Sequence, residues 1–274
     1  MYDKPKISII SPSKNTGRFA KETIESVLNQ TYKSWEHIIV DGMSTDETLE
    51  VIGQYPHIRW ISEKDNGFDE AFRKGLAMAN GEYVMLCCMS DGFLDKNWFK
   101  KCAECLDNHS EISLVWGLPQ YMLEDGSLSR IAYDYFFDNF HPQSKDFIYY
   151  WLKTYFHFPE GNFCVRKNVM DNCFPPAEIE KDDEICKLLC FNYKFNTEGY
   201  LPYFIPVAAN YGRLHSDSGG QALRAKGLED KWVKLYRDNI KKYRKQLLKG
   251  RTVHKYKDGS ENLLTGKVDL KRIR

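Results

Sequence analysis

Three aspartates follow predicted strands and could together hold a charged ligand. Asp41 closes the run HIIVD, Asp65 follows IRWISEK, and Asp91 follows YVMLCCMS. Carboxylate oxygens there can accept hydrogen bonds from hydroxyl or N–H groups and can ligate hard divalent cations. Gly42, directly after Asp41, would let the backbone approach a ligand closely. The pattern favours a polar binding site built from separate loops, while a turn-capping role alone would also explain Asp41.

Alternating elements in the first hundred residues must position these loops. The apolar runs KISII, HIIV, IRWI and YVMLCC alternate with the amphipathic segments FAKETIESVLNQ, residues 46–54 and FDEAFRKGLAMA. Strand runs that are apolar on both faces, joined by amphipathic helices, indicate a parallel sheet covered on both sides. Because ligands of such sheets bind at the carboxyl ends of the strands, we expect the three aspartates at one edge.

Less regular elements follow. We predict a helix over residues 95–107, a strand at SLVWG, a helix at EKDDEICKLLCF, strands around KFNTEG and YFIPVAANYG, and a final basic helix. Residues 133–158 contain 12 Phe, Tyr or Trp, which favours core packing over a sugar-stacking platform or a lipid interface.

Composition and missing motifs exclude several classes of protein. The chain has 274 residues, of which 42% are apolar, so it can bury a sizeable core and is not a disordered or fibrous protein. It has no GxGxxG after the first strand and no P-loop motif, so the sequence gives little support for a dehydrogenase or a P-loop NTPase. The CxxC formed by Cys102 and Cys105 lies in a predicted helix with no second pair at zinc-ribbon spacing.

Charge divides the chain into an acidic body and a basic segment. Residues 224–257 carry 13 Lys and Arg against 3 Asp and Glu, while residues 1–223 carry 22 against 32. An acidic body argues against nucleic acid as a partner. No run approaches the ~18 apolar residues of a membrane span, and the N-terminus lacks a signal-peptide cleavage site, so we expect a cytoplasmic protein with reduced thiols.

Four segments of the first 95 residues carry a recognisable set of motifs: SIISPSKN, SVLNQTYKSWEHIIVDGMSTDET, ISEKDNGFDEAFRKGLAMANGEYV and MSDG. In order and spacing they resemble the inverting family 2 glycosyltransferases of the GT-A fold, especially bacterial enzymes that assemble cell-surface polysaccharides, with MSDG at the position of the family's DxD-type motif. Weaker matches are GNFCVRKNVM, EKDDEICKLL and ANYGRLHSDS. The resemblance implies an α/β, Rossmann-like, mostly parallel sheet flanked by helices, here with a C-terminal basic helical extension.

This resemblance implies a donor site for a nucleotide-sugar, expected to be UDP-linked. Pro12 and Asp41 would help to hold the nucleotide, and Asp65 would line the same pocket. Lys64 lies in the same loop as Asp65 and is expected to face the same edge of the sheet.

A divalent metal, Mn²⁺ or Mg²⁺, is also implied. Asp91 would coordinate the ion on the donor diphosphate, with His215 of the RxH-like segment as a second ligand. Met89 stands where the family carries an acidic or Asn residue, so Asp91 is the lone carboxylate of the motif. Phosphate oxygens and water can complete a Mg²⁺ shell.

An inverting transfer needs a base for the acceptor hydroxyl, and a carboxylate is a suitable one. The segment EIEKDDEICKLL offers Glu180, Asp182, Asp183 and Glu184. Its apolar residues, aligned with the family pattern, indicate Asp182 as the base and Asp183 as the second choice. Helix-dipole complementation would explain some of these acids whatever the function.

The acceptor side is assigned to Glu160, Asn162 and Arg166, which flank a predicted strand. The expected acceptor is a saccharide or a lipid-linked saccharide. The basic helix has apolar residues at helical spacing, and either peripheral membrane contact through residues 224–257 or docking on the core would explain it.

We therefore expect two parts of the chain. Residues 1–222 would form the glycosyltransferase domain, with 1–95 as the nucleotide-sugar half and 96–222 as the acceptor half, and residues 223–274 the extension and tail. The alternative function is a catalytically silent nucleotide- or glycan-binding protein of the same fold.

Overall fold

The computed structural model describes residues 4–132, 147–175, 186–216, 218, 225, 227–249, 254–257 and 259–262. The helices are α1 (Gly17–Leu28), α2 (Thr48–Gly53), α3 (Phe68–Met78), α4 (Trp98–Asn108), α5 (Phe147–Thr154), α6 (Lys167–Cys173), α7 (Lys187–Thr197) and α8 (Leu228–Leu248). The strands are β1 (Ile7–Ser13), β2 (Trp35–Asp41), β3 (Arg59–Ser62), β4 (Tyr83–Leu86), β5 (Gly92–Phe93), β6 (Ile112–Met122), β7 (Leu128–Ile131), β8 (Phe163–Arg166), β9 (Leu201–Arg213), β10 (His254–Lys255) and β11 (Glu261–Asn262).

One mixed sheet organises the described residues, in the order β3-β2-β1-β4-β8-β6-β9-β5, with β7 paired to β6. Its first half, β3-β2-β1-β4, is parallel, as the alternating pattern predicts. Strand β8 then runs antiparallel between β4 and β6, while β6 and β9 are parallel to each other. Helices cover the sheet, and the α/β prediction is confirmed.

Close packing joins α3 to β1 in the parallel half. Ile7, Ile9 and Ile10 of β1 are fully buried, as expected for a central strand that is covered on both faces. A Cβ atom on Gly75 of α3 would overlap the Cγ2 methyl group of Ile10. The glycine therefore lets the helix approach the strand.

The strand predicted around KFNTEG is wrong. Lys194 and Thr197 belong to α7, whose last turn continues a helical spacing of buried phenylalanines, Phe191 and Phe195. Their rings lie 5.8 Å apart, centroid to centroid. Packing at i, i+4 fixes this segment as a helix.

The aromatic-rich region is core where the structure describes it. Phe147, Trp151, Phe156 and Phe158 are buried, and Trp116 of β6 contacts Phe156 with ring centroids 5.1 Å apart. The core-packing prediction is confirmed for these residues. The remainder of the aromatic run, residues 133–146, lies outside the described residues.

The basic helix α8 docks on the core of the chain. Its buried face consists of Tyr236, Ile240, Tyr243 and Leu247, which pack in the same cluster as α5 and α7. The Tyr236 hydroxyl accepts a hydrogen bond from Trp151 Nε1 (2.8 Å) and donates one to the Phe156 carbonyl (2.8 Å).

The structure therefore favours core docking for this helix, although Leu235 and Leu248 stay exposed. Within the described residues, none of the helices combines the length and apolarity required to cross a membrane.

Candidate active site

Backbone hydrogen bonds join the loops at the carboxyl edge of the parallel half. Gly42 N donates to Ser13 O (2.8 Å), and Met89 N donates to Pro12 O (3.3 Å). The strand register also pairs Ser13 with Asp41. The loops after β1, β2 and β4 therefore meet at one edge, as the sequence predicts, and Pro12 lies buried between them.

Asp41 is fully buried, and donors of the protein itself surround its carboxylate. Oδ2 accepts hydrogen bonds from Ser44 N (2.9 Å) and Ser62 Oγ (2.7 Å), and Oδ1 accepts one from Ser44 Oγ. These bonds hold the loop that follows β2 against the end of β3. In this conformation Asp41 holds the loops after β2 and β3 in place, and its side chain has no exposed surface that could contact a nucleotide.

Asp65 lies directly against Gly42, at the position where a Cβ atom on that glycine would come within 2.8 Å of Asp65 Oδ2. Its Oδ1 accepts a hydrogen bond from Gly67 N (3.0 Å), which closes the turn before α3. The structure thus brings the loops after β2 and β3 together. Lys64 is exposed beside them, and its carbonyl accepts a hydrogen bond from Lys74 Nζ (3.0 Å).

Asp91 stands after β4 and is half-buried. Its Oδ1 accepts a hydrogen bond from Arg213 N (3.0 Å), and its carbonyl accepts one from Thr23 Oγ1 (2.5 Å). Desolvation raises the pKa of Asp91 to about 6, although the amide and positive charge of Arg213 act in the opposite direction. A cation bound next to such a carboxyl group would stabilise its ionised form.

Arg213 anchors this carboxylate and was not among the predicted site residues. Its guanidinium donates to Ser90 O (3.1 Å), pairs with Glu22 and lies 4.7 Å from the centroid of Phe19. The ring of His215 contacts the same phenylalanine, with centroids 5.0 Å apart. His215 therefore lies near the Asp91 anchor, buried in the structure. The RxH-like spacing was the signal that could have identified Arg213.

Glu160 lies close enough to Asp91, Asp69 and Glu229 for their charges to act on it, and the space beside these four carboxyl groups is called the acidic cleft below. Its residue surface is exposed, yet protein surrounds it on enough sides that desolvation raises the pKa of its carboxyl group to about 7. The negative charges of Asp91, Asp69 and Glu229 contribute to this rise, after desolvation. Asn210 Nδ2 donates to Gly161 O (3.0 Å) and holds this turn. Asp69 and Glu229 were not predicted as part of this cluster.

Asn162 is fully buried behind that turn. Its Oδ1 and its carbonyl both lie within hydrogen-bonding distance of Gly117 N, at 3.2 and 3.3 Å. Asn162 thus ties the start of β8 to β6, and its assignment to the acceptor side stays a prediction.

Arg166 lies at the opposite edge of the sheet from Asp91. It pairs in register with Tyr83, at the start of β4, because β8 runs antiparallel to that strand. Its guanidinium donates to the carbonyls of Ile112 (2.8 Å) and Leu106 (2.6 Å). The structure therefore does not bring Arg166 to the edge of the sheet that carries Asp91. The prediction that Arg166 binds the acceptor is wrong in this respect.

The predicted base lies outside the described residues. Asp182 and Asp183 fall in residues 176–185, so their assignment stays a prediction. The described helix of this region, α7, begins at Lys187.

The side chains around Asp91 could serve only in part as ligands of a divalent ion. Within the described parts of the chain, no cluster of three or more His, Cys, Asp or Glu side chains could hold a metal. Met89 is buried among apolar residues and supplies no ligand. Asp91 provides one carboxylate of raised pKa and His215 would provide one imidazole nitrogen, so an ion here would take its remaining ligands from phosphate oxygens and water. A site shared with a bound diphosphate fits these residues.

The sequence around this cleft is that of a known class of protein. Residues 8–174 match the glycosyl transferase family 2, and the chain belongs to this family. The structure is similar to Staphylococcus aureus TarS 1-349 in complex with UDP-GlcNAc, with a TM-score of 0.57 and 20% identity over 78% of this chain and 60% of that one. This likeness shows the GT-A fold.

Another similar structure is the mannosyltransferase PcManGT from Pyrobaculum calidifontis in complex with GDP-Man and Mn²⁺. Its TM-score is 0.58 and its identity 15%, over 82% of this chain and 61% of that one.

Among curated proteins, the putative teichuronic acid biosynthesis glycosyltransferase TuaG of Bacillus subtilis is 35% identical over 135 residues, 45% of this chain and 50% of TuaG. Chondroitin synthase of Escherichia coli is 27% identical over 135 residues, 48% of this chain and 20% of the synthase. The chain thus matches half or less of the length of these two relatives.

Proposed function

We propose that the protein is an inverting glycosyltransferase that moves a sugar from a nucleotide-sugar, UDP-linked, to a saccharide acceptor in bacterial surface polysaccharide synthesis. The observation that carries the proposal is Asp91, a half-buried carboxylate held by Arg213 where the parallel strands end. Its position suits a group that faces a donor diphosphate. TarS, which was solved with UDP-GlcNAc, supports a uridine donor, and TuaG and chondroitin synthase support a polysaccharide product.

In the proposed reaction, the acceptor hydroxyl oxygen attacks the anomeric carbon from the face opposite the leaving group. The bond from acceptor oxygen to carbon forms while the bond from carbon to diphosphate oxygen breaks, and that electron pair leaves on the nucleoside diphosphate. Asp182 takes the hydroxyl proton, with Asp183 as the second candidate. Attack from the opposite face inverts the anomeric centre.

The described residues would bind and orient the donor. Asp91 and His215 would hold a divalent ion at the diphosphate, where the ion, when bound, supplies positive charge that offsets the charge of the leaving group. Pro12, Asp41 and Asp65 would shape the nucleotide pocket, with Asp41 acting through the loop that it holds.

The acceptor enters on the Glu160 side in this proposal. At a pKa of about 7, Glu160 can accept or donate a hydrogen bond to an acceptor hydroxyl near neutral pH. A lipid-linked saccharide is the proposed form of the acceptor, reached from the cytoplasmic face of the membrane. Peripheral contact would involve the exposed lysines of α8, because its apolar face packs on the core.

Nucleotide titration tests the donor site. Calorimetry with UDP, GDP, CDP and dTDP, each with and without Mn²⁺, should show UDP binding that Mn²⁺ strengthens. Asp91→Asn should remove the Mn²⁺-dependent gain, whereas Asp125→Asn, an exposed turn residue, should keep it. If UDP affinity with Mn²⁺ is unchanged in Asp91→Asn, the metal assignment fails.

Asp182→Asn tests the base. The variant should bind UDP like the wild type and lose transfer in an assay with a UDP-sugar panel and saccharide acceptors. If the variant retains transfer, Asp182 is not the base, and Asp183 becomes the first candidate for that role. Nucleotide binding with no turnover in the wild type would instead support the alternative, a catalytically silent binding protein.

A further inference from the structure

An open pocket lies between α5, the segment that follows it, and α8. Its volume is ≈ 160 Å³, and it is lined by Tyr150, Thr154, Tyr155, Phe156, His157, Val233, Tyr236 and Arg237. An apolar cavity of about 150 Å³ accommodates benzene, so this pocket has the size for one ring. Most of its wall is aromatic, and aromatic faces pack well against the apolar faces of sugar rings.

One cation borders this aromatic wall. Arg237 is exposed, and among the described residues it has no hydrogen bond or ion pair. Desolvation lowers the pKa of the neighbouring His157, and the charge of Arg237 lowers it further against the opposite effect of Glu229. His157 is therefore neutral near pH 7 and offers one donor and one acceptor. The pocket combines a ring-sized aromatic wall with one guanidinium group.

Tyr155 occupies its place in the wall at a conformational cost. Its φ is 59°, in the left-handed region where glycine or asparagine usually ends a helix. Its backbone N–H donates to Trp151 O (2.9 Å) and closes α5. A bulky residue at such a position is uncommon, and strained residues are concentrated at binding sites. The tyrosine side chain packs partly against the core and lines the pocket.

The pocket adjoins the acidic cleft. His157 lies three residues before Glu160, so their Cα atoms are at most about 11 Å apart. Glu229, at the start of α8, acts electrostatically on both of these residues. A chain molecule with one hydroxyl at Glu160 could therefore reach the pocket with a neighbouring unit.

We infer that this pocket binds an anionic sugar unit of the acceptor, one that carries a carboxylate or a phosphate group. The inference rests on the proposed glycosyltransferase function, since it names the acceptor class of the same cleft. Asp91, Asp69, Glu160 and Glu229 make the cleft negative, which disfavours an acidic acceptor unless a cation receives its charge. The guanidinium of Arg237 is such a cation, and its planar fork matches both carboxylate and phosphate.

Binding of small probes tests the pocket directly. The probes are methyl β-D-glucuronide, glucose 6-phosphate, uncharged methyl β-D-glucoside and inorganic phosphate, each titrated by ligand-observed NMR. The two charged sugars should bind the wild-type protein more tightly than the glucoside does. Arg237→Gln should weaken them about tenfold or more and leave the glucoside unchanged.

Matched variants separate the pocket from general charge attraction. Lys242→Gln removes one positive charge from an exposed position on α8 and should bind the charged sugars like the wild type. Tyr155→Asn keeps a residue that tolerates positive φ and should weaken every sugar probe. Thermal melting by circular dichroism should show that the three variants are folded.

Three outcomes would overturn the inference. Equal losses in Arg237→Gln and Lys242→Gln would indicate attraction to the whole basic helix. Inorganic phosphate that binds as tightly as the charged sugars, with no effect of Tyr155→Asn, would indicate a simple anion site. No binding of the charged sugars by a protein that binds UDP would remove the pocket but keep the glycosyltransferase proposal.

The reverse result separates the two proposals. If the charged sugars bind through Arg237 and no nucleotide binds with or without Mn²⁺, the transferase proposal fails. The pocket would then be the site of an acidic-glycan-binding protein.

Discussion

Arg213 connects four separated parts of the chain at one point. Its amide holds Asp91, and its guanidinium contacts Ser90 O, Leu123 O and Glu22. Only 2% of its side chain is exposed, so its charge depends on these acceptors. The carboxylate that would face the metal in the proposed mechanism is therefore positioned by an arginine 122 residues later in the chain.

We expect Arg213→Gln to lower the free energy of unfolding by about 2 kcal/mol, because it leaves buried acceptors unsatisfied. It should also weaken Mn²⁺-dependent UDP binding, since the loop that carries Asp91 loses the guanidinium hydrogen bond to Ser90 O and the nearby positive charge, although the backbone N–H to Asp91 remains. Urea unfolding and the nucleotide titration measure the two effects. The control is Arg18→Gln, a half-exposed partner of Glu124, whose stability should stay within about 0.5 kcal/mol of the wild type. Wild-type stability of Arg213→Gln would contradict the anchoring role.

At the scale of elements, α3 and β1 show how the site edge is held. Gly75 allows α3 to lie against Ile10, two residues before Pro12. The turn that leads into α3 contains Asp65, which contacts Gly42. Helix–strand packing and loop position are thus coupled, and a shift of α3 would move the donor-side loops.

Gly75→Ala should destabilise the protein by about 1–3 kcal/mol, because the new methyl group overlaps Ile10 in a closely packed core. Gly53→Ala is the matched control: it is also helical, with nothing within 4 Å of the added Cβ. That variant should be as stable as the wild type or up to about 1 kcal/mol more stable. Urea denaturation of both variants gives the comparison. Equal stabilities would mean that α3 can move away from β1 at no cost.

At the scale of the whole molecule, buried neutral histidines link stability to pH. His37 is fully buried in β2, with Nε2 2.9 Å from Ser11 Oγ. Desolvation and, to a smaller extent, the charge of His57 lower the pKa of His37 to about 3. His254 is also buried, and desolvation lowers its pKa to about 4.

Stability should therefore fall as the pH decreases below the ordinary histidine pKa. The unfolded chain binds a proton near pH 6.5 and the folded chain does not until about pH 3, so protons favour the unfolded state in that window. At pH 5.5 the contribution of His37 to this loss is about 1.4 kcal/mol relative to pH 7.5. Urea unfolding at both pH values should show a smaller difference in His37→Gln than in the wild type. An identical difference would show that His37 is not the titrating group.

The sequence by itself determined the parallel half and the edge where its loops meet. Strand β3, for example, follows from IRWI, and the loops with Asp41, Asp65 and Asp91 follow from where the apolar runs stop. These features are local: periodicity over a few residues sets the element, and a parallel sheet places every carboxyl end on the same side. The family motifs lie in the same part of the chain.

Only the tertiary structure decided the second half and the use of individual side chains. Arg166 lies at the far edge because β8 runs antiparallel to β4, and no local pattern states strand direction. Ser62 reaches Asp41, and Arg213 reaches Asp91, through contacts between residues distant in sequence, whereas the bonds from Ser44 to Asp41 are the local turn that the sequence allows. The apolar face of the basic helix likewise packs on the core. An amphipathic sequence predicts that one face is buried, but only the fold decides whether protein or membrane covers that face.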